Sequence, residues 1–312
     1  LFICYPIHIY LLKVTFLPRS IKLFALINIF FYSRYNHSFV KYRDNRYSLL
    51  EFLSDCVPQN GGEKERAITI KLECFLEQND YQSAEKLFHK IKEENNFTSS
   101  YSIFTNKRVL YIGSAPVNHE ELDLQCFDLI VVSNFLEVDF ERKKIPLDKA
   151  VIFFNKGFAG RHAEHVARIK KRCKAVFVKQ DGAVHNASQF MDASPFMFND
   201  YGPMGAQNVL LGLYIGQPSS VTVVGINGFL SDKPFADDLK KYSIIDQHIS
   251  NILRRHELVS NHNFLRLINY LINVRGNEEF LALVKLSSHE YCLKIDQLYG
   301  SLGAKRISGY GF

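Results

Sequence analysis

Two hydrophobic textures divide the chain. Residues 47–94 carry apolar positions at helical spacing: Ile68, Ile70, Leu72, Phe75 and Leu76 in residues 67–78, then Tyr81, Ala84, Leu87, Phe88 and Ile91 in residues 81–94. The second set is close to an i, i+3, i+4, i+7 stripe, one face of an amphipathic helix. The polar turn Asn79-Asp80 joins the two, predicting a helical hairpin with Ala84 at the close-contact position. Such a hairpin is either one tetratricopeptide-type unit or part of a plain helical subdomain, since a single unit is no array. The polar run 95–102 reads as a linker. Beyond it short apolar runs predict strands at 109–112, 129–132, 150–154, 175–179 and 221–224, with helices at 163–172 and 206–215. Unbroken apolar strands alternating with helices imply a mostly parallel sheet covered on both faces. From 242 to 299 the pattern is helical again, and the pair 251–273 and 277–285 is expected to pack over that sheet. The expectation is a helical N-terminal region, 1–98, and an α/β domain, 99–312, with a Rossmann-like sheet and C-terminal helices.

Small or polar residues end several of these strands. Arg108-Val-Leu-Tyr-Ile-Gly113-Ser114-Ala115-Pro116 is a strand running into a small-residue turn. Glycine lets a backbone approach a ligand closely, and amides in such a turn can meet phosphate oxygens. Asn134 and Asn155 end the second and third strands, where amides can bond a ribose, base or phosphate, or simply form turns. Tyr201-Gly-Pro-Met204-Gly205-Ala206 opens a helix whose dipole favours an anion. Gly225-Ile226-Asn227-Gly228 follows a Val-rich strand. His248, His256 and His262 come late in the chain, and His256, beside Glu257, suits a general base. In open α/β sheets ligands bind at strand C-terminal ends, where these residues fall. The dinucleotide glycine fingerprint and the Walker lysine are both absent from the first turn.

Composition narrows the classes. The 312 residues are 47% apolar and 22% charged, ordinary for a folded protein. A net charge of +6 suits a small anionic ligand or an acidic membrane surface, but reads as too dispersed for nucleic acid. The six cysteines show neither CxxC nor Cys/His ligand spacing, so no zinc site is expected. Residues 1–32 are strongly apolar yet interrupted by Lys13, Pro18, Arg19 and Lys22, and the uncharged stretch 1–12 is too short to span a bilayer. Membrane-surface segment, truncated transmembrane helix and buried helices of a larger protein are the three readings, the first and third favoured. No small-residue cleavage pattern marks a signal peptide.

Taken in order, the Gly-small-Pro turn, the strand ending in Asn134, the small-residue helix start, the strand ending in Gly225-Ile226-Asn227 and the downstream His256 resemble the bacterial sialyltransferase-like glycosyltransferases. The likeness covers roughly residues 107–275 and implies a GT-A-related, Rossmann-like fold and a CMP-activated sialic acid or Kdo donor. It implies that Gly113, Ser114 and Ala115 lie along the CMP phosphate, with Asn134 and Asn155 flanking phosphate and donor sugar. Met204, Gly205, Ala206, Gly225, Ile226 and Asn227 would line the cytidine pocket, with His256 as catalytic base. Such enzymes need neither metal nor cofactor, and their acceptor would be a surface glycan such as lipooligosaccharide or capsule. The apolar, basic N-terminus would suit work on the cytoplasmic side, at the inner membrane face through a peripheral contact; nucleic acid is not an expected partner. The family pattern has tyrosines after the Gly-Ile-Asp-like strand, where this chain has Phe229 and Phe235, so Lys233, Ser231 or Tyr242 would have to assist the leaving group. A retaining reaction would instead need a carboxylate nucleophile, Asp200 or Asp232. A different class stays open: a nucleotide-binding pseudoenzyme whose helical N-terminal region recruits partners. A methyltransferase is disfavoured, because no Gly-x-Gly follows Gly113 and Asn134 stands where an acid would close the second strand.

Overall fold

The computed structural model describes residues 38–56, 63–94, 99–117, 122–178, 188–189, 193, 196–197, 205–231, 258–272 and 274–308. Three helices come first: α1 (Phe39–Cys56), α2 (Glu63–Glu77) and α3 (Tyr81–Glu94). The hairpin of α2 and α3 turns where expected. Asn79 adopts a left-handed conformation (φ 60°) and Asp80 Oδ1 accepts from Ser83 N, capping α3. The α/β part then runs β1 (Arg108–Ile112), β2 (Leu129–Ser133), α4 (Glu137–Arg142), β3 (Ala150–Phe154), α5 (Lys156–Arg161), α6 (Ala163–Lys170), β4 (Ala175–Val178), β5 (Ser188–Gln189), α7 (Gly205–Gly216) and β6 (Ser220–Val224). It closes with α8 (Leu258–Ile272), β7 (Arg275–Gly276), α9 (Glu278–Lys285) and α10 (Ser288–Ser308).

The sheet has the order β5-β4-β3-β2-β1-β6-β7, and each of these pairings is parallel. Strand side chains alternate between faces, and the two cores divide accordingly. Val109, Tyr111, Val131, Val151, Phe153, Val221 and Val223 face the larger core, shared with α1–α3 and α7–α10. Leu110, Ile112, Ile130, Val132, Ile152, Phe154 and Val224 face a smaller one, completed by Phe140 of α4, Phe158 and Ala159 of α5, and Val166 and Ile169 of α6. Burial on both sides explains why the strands read as unbroken apolar runs rather than alternating ones. Strands β5 and β7, two residues each, leave no such pattern and escape sequence reading.

The N-terminal helices are bolted to the C-terminal ones by buried charge. Arg46, 1% exposed, reaches Glu73 of α2 at 3.2 Å and donates to Ser260 Oγ of α8. Glu77 of α2 accepts from Arg43 (2.8 Å), Asn263 of α8 (2.8 Å) and Ser288 of α10. Helix α8 is buried from Leu258 to Ile268, so its Ser260, Asn261, His262 and Asn263 serve packing rather than solvation. Among the described residues no helix is long and apolar enough to cross a membrane.

Candidate functional site

Because neighbouring strands run parallel, their C-terminal ends form one edge. Asn155, Asn134, Gly113 and Gly225 follow β3, β2, β1 and β6 in the order in which those strands lie side by side. The chain leaves β1 toward β2 on one side and returns to β6 on the other. That reversal is the topological switch point at which open α/β sheets carry ligands. All the strand-end residues singled out above that are described lie along this edge.

At the switch point the two turns meet each other. Gly113 N donates to Val224 O (2.8 Å) and Ala115 N to Gly225 O (2.9 Å). A β-carbon on Gly113 would stand 2.1 Å from the Gly225 carbonyl oxygen. Gly225 itself has φ +68° and faces Ala115 O and Gly113 O. Glycine is needed because two backbones approach one another, which differs from the close ligand approach expected above. The amides of Gly113 and Ala115 are spent on β6; that of Ser114 makes no backbone hydrogen bond among the described residues.

The two asparagines form a relay. Asn134 is left-handed (φ 55°), its amide donates to Phe153 O (2.9 Å), and its Oδ1 accepts from Asn155 N (2.9 Å). Asn155 Oδ1 in turn accepts from Phe158 N (2.7 Å), capping α5. Both side chains thus fix the strand tips, the turn-forming role also open in the sequence, and Asn155 stays exposed at the rim.

Gly205 begins α7, and a β-carbon there would lie 3.7 Å from Ser133 Oγ, so this helix start stands over the end of β2. Tyr111 Oη and Ser133 Oγ lie 3.4 Å apart at the same place. These two hydroxyls were missed by sequence reading: Tyr111 is 2% exposed and counts there only as one apolar strand position. Ala206 packs partly into the larger core, while Gln207 Nε2 donates to Asn261 O (3.0 Å), tying α7 to α8.

The turn after β6 is held by side-chain hydrogen bonds. Buried Asn227 accepts from Phe229 N (3.0 Å) and donates to Ser231 Oγ (3.1 Å), while Ile226 joins the larger core. Helix α10 clamps it from outside: Tyr291 Oη donates to Gly228 O (2.9 Å), and Tyr299 Oη contacts Phe229 O (2.8 Å) and Ser231 O (3.1 Å). Sequence periodicity places these tyrosines on a helix but gives no hint that their hydroxyls hold this turn.

His256, Met204, Phe235, Lys233, Tyr242, Asp200 and Asp232 lie outside the described residues. Of the late histidines, His262 is described and is structural. Its Nε2 lies 3.0 Å from Leu283 O, which can only accept, so that nitrogen carries the proton. The ring stacks on Tyr291 at 4.3 Å, and burial pushes its pKa down to about 3, keeping it neutral. Among the described residues no group of His, Cys, Asp and Glu stands ready to hold a metal ion. No protein-family model matches the chain, and neither a curated protein nor a solved structure is significantly similar to it.

Proposed function

We propose that this chain is a glycosyltransferase that takes a sugar from a CMP-activated donor, sialic acid or Kdo, and passes it to a hydroxyl of a glycan acceptor. The observation that carries the reading is the switch point between β1 and β6, with small residues and amide-bearing tips ranged along one sheet edge. The donor's cytidine would lie against the start of α7 and the clamped turn after β6, its phosphate facing Ser114 and the α7 N-terminus. His256 would take the acceptor's proton as the hydroxyl attacks the anomeric carbon, with inversion. CMP leaves as a stable anion, so the protein's part is to position the reactants and stabilise charge. Neither metal nor cofactor is required by this scheme.

A second reading, a nucleotide-binding module without turnover, draws on two facts. The Gly113 and Ala115 amides are engaged by β6, and Phe229 stands where the resembled family has a hydroxyl. One experiment separates the readings. Purified protein is offered CMP-sialic acid, CMP-Kdo, UDP-sugars and S-adenosylmethionine, with nucleotide release and thermal shift followed together. CMP release that disappears in His256→Ala supports the transferase and names its donor. Stabilisation by CMP, with no release even when glycan acceptors are supplied, supports the binding module. Indifference to every cytidine nucleotide refutes the transferase reading, and indifference to all the nucleotides offered refutes the binding module as well.

A further inference from the structure

The strand N-terminal ends, opposite the candidate site, carry a dense share of the protein's positive charge. Residues 141–174 hold eleven Lys or Arg against three Asp or Glu, a surplus of eight that exceeds the +6 of the whole chain. The charge expected to be dispersed is therefore locally dense; Lys156 and Arg161 lie in α5, after the C-terminal end of β3, while Lys144, Lys149, Arg168, Lys171 and Lys174 lie toward the strand N-terminal ends. Lys174 enters β4 with its amide bonded to Ala150 O, the first residue of β3 (2.8 Å). Lys149 precedes β3, and its Nζ reaches Phe127 O just ahead of β2 (3.1 Å). Lys144 follows the end of α4, while Arg168 and Lys171 end α6, which descends from the opposite edge.

Carboxylates neutralise only part of this surface, with Asp123, Glu141 and Asp148 ahead of the same strand ends. Arg172 pairs with Glu137, and Arg108 with Asp128. Lys144, Arg168, Lys171 and Lys174 are exposed and make no ion pair among the described residues. Complementing the α6 dipole accounts for Arg168 and Lys170 in its last turn. It does not account for Lys144 or Lys174, which come from other segments.

We infer that this end is a docking surface for an anionic lipid membrane. Point charges on flexible stems, spread over several loops, suit a fluid layer of lipid headgroups, where each Lys or Arg adds to the attraction. Single-stranded nucleic acid would call for aromatic stacking platforms. Among the large apolar side chains described as exposed, the one aromatic is Tyr270, on α8 across the sheet and stacked on Tyr81. Docking by this end leaves the strand C-terminal ends open to water. The inference is independent of the transferase reading, and it names a contact distinct from the apolar residues 1–32.

The test is co-sedimentation of the full chain with phosphatidylcholine vesicles, with and without about 30% phosphatidylglycerol. The expected result is binding to the anionic vesicles alone, lost as salt rises from ~0.05 to ~0.5 M. The quadruple variant Lys144→Glu, Arg168→Glu, Lys171→Glu, Lys174→Glu should bind at least about tenfold more weakly, with its melting temperature reporting an intact fold. Should it misfold, the corresponding Gln variant decides, with a loss in the same direction. Wild-type binding by either variant overturns the inference and transfers the contact to another segment. No binding of the parent chain to anionic vesicles overturns it outright. Tighter binding to an oligonucleotide than to the vesicles overturns it in favour of nucleic acid.

Discussion

Replacing Gly113 by Ala separates two reasons for a glycine at a strand end. In the fold the added β-carbon would meet the Gly225 carbonyl oxygen at 2.1 Å, where real β-carbons do not come under 3.0 Å. The backbones must part by about 0.9 Å. Because the obstacle is another backbone rather than a mobile side-chain tip, rotamer changes cannot absorb the shift. It would stretch the Gly113 N to Val224 O bond from 2.8 Å to about 3.7 Å, outside hydrogen-bond range, and the Ala115 bond with it. Two weakened or orphaned bonds in a semi-buried turn cost about 2–5 kcal/mol, or roughly 4–15 °C in Tm. Gly160, in α5, is the control, since a β-carbon there has nothing within 4 Å; Gly160→Ala should be neutral or stabilising by up to ~1 kcal/mol. Urea titration and thermal melting of both variants, with CMP binding measured alongside, make the assay. If Gly113→Ala melts like the parent and loses only nucleotide binding, the packing argument is wrong and the glycine serves a ligand.

Three further outcomes follow from the same structure. Arg46→Met leaves Glu73 buried without its 3.2 Å partner and should cost about 3–5 kcal/mol in urea unfolding; a loss below ~1 kcal/mol would mean the cluster contributes little to joining α1 to α8. His262 is neutral when folded, its pKa depressed to about 3 from an ordinary 6.5. The unfolded chain therefore takes up the proton first, so this group's contribution is complete above pH 6.5 and is lost as pH falls from there toward 3, by up to ~1.4 kcal/mol per unit; His262→Phe, which keeps the ring stack, should flatten that part of the stability–pH curve relative to the parent, and parallel curves would rule the account out. Tyr299→Phe removes the hydroxyl held by Phe229 O and Ser231 O and should cost about 1–2 kcal/mol with faster amide exchange in residues 225–231; unchanged exchange would show that α10 does not brace this turn.

Much of this architecture was legible in the residues themselves. Runs such as Val151-Ile-Phe-Phe154 read as strands buried on both sides, and the α2–α3 hairpin declares itself through its apolar stripes and the Asn79-Asp80 turn. Burial period and turn chemistry are local properties, so sequence by itself determined the fold class, the five longer strands and the parallel pairing. The +8 surplus of residues 141–174 is equally local, and only the placing of Lys144, Arg168, Lys171 and Lys174 toward one end required the fold. What the tertiary structure alone decided depends on partners distant in sequence. Gly113 is glycine because of Gly225, more than a hundred residues away, and Asn134 is turned inward to hold the next strand's tip. Tyr291 and Tyr299 brace a turn some 63–70 residues earlier in the chain, and His262 is neutral because α8 is enclosed. A residue type fixes what a side chain can donate, accept or carry; which backbone or ring it meets is set by packing, and packing has no signature in a single residue.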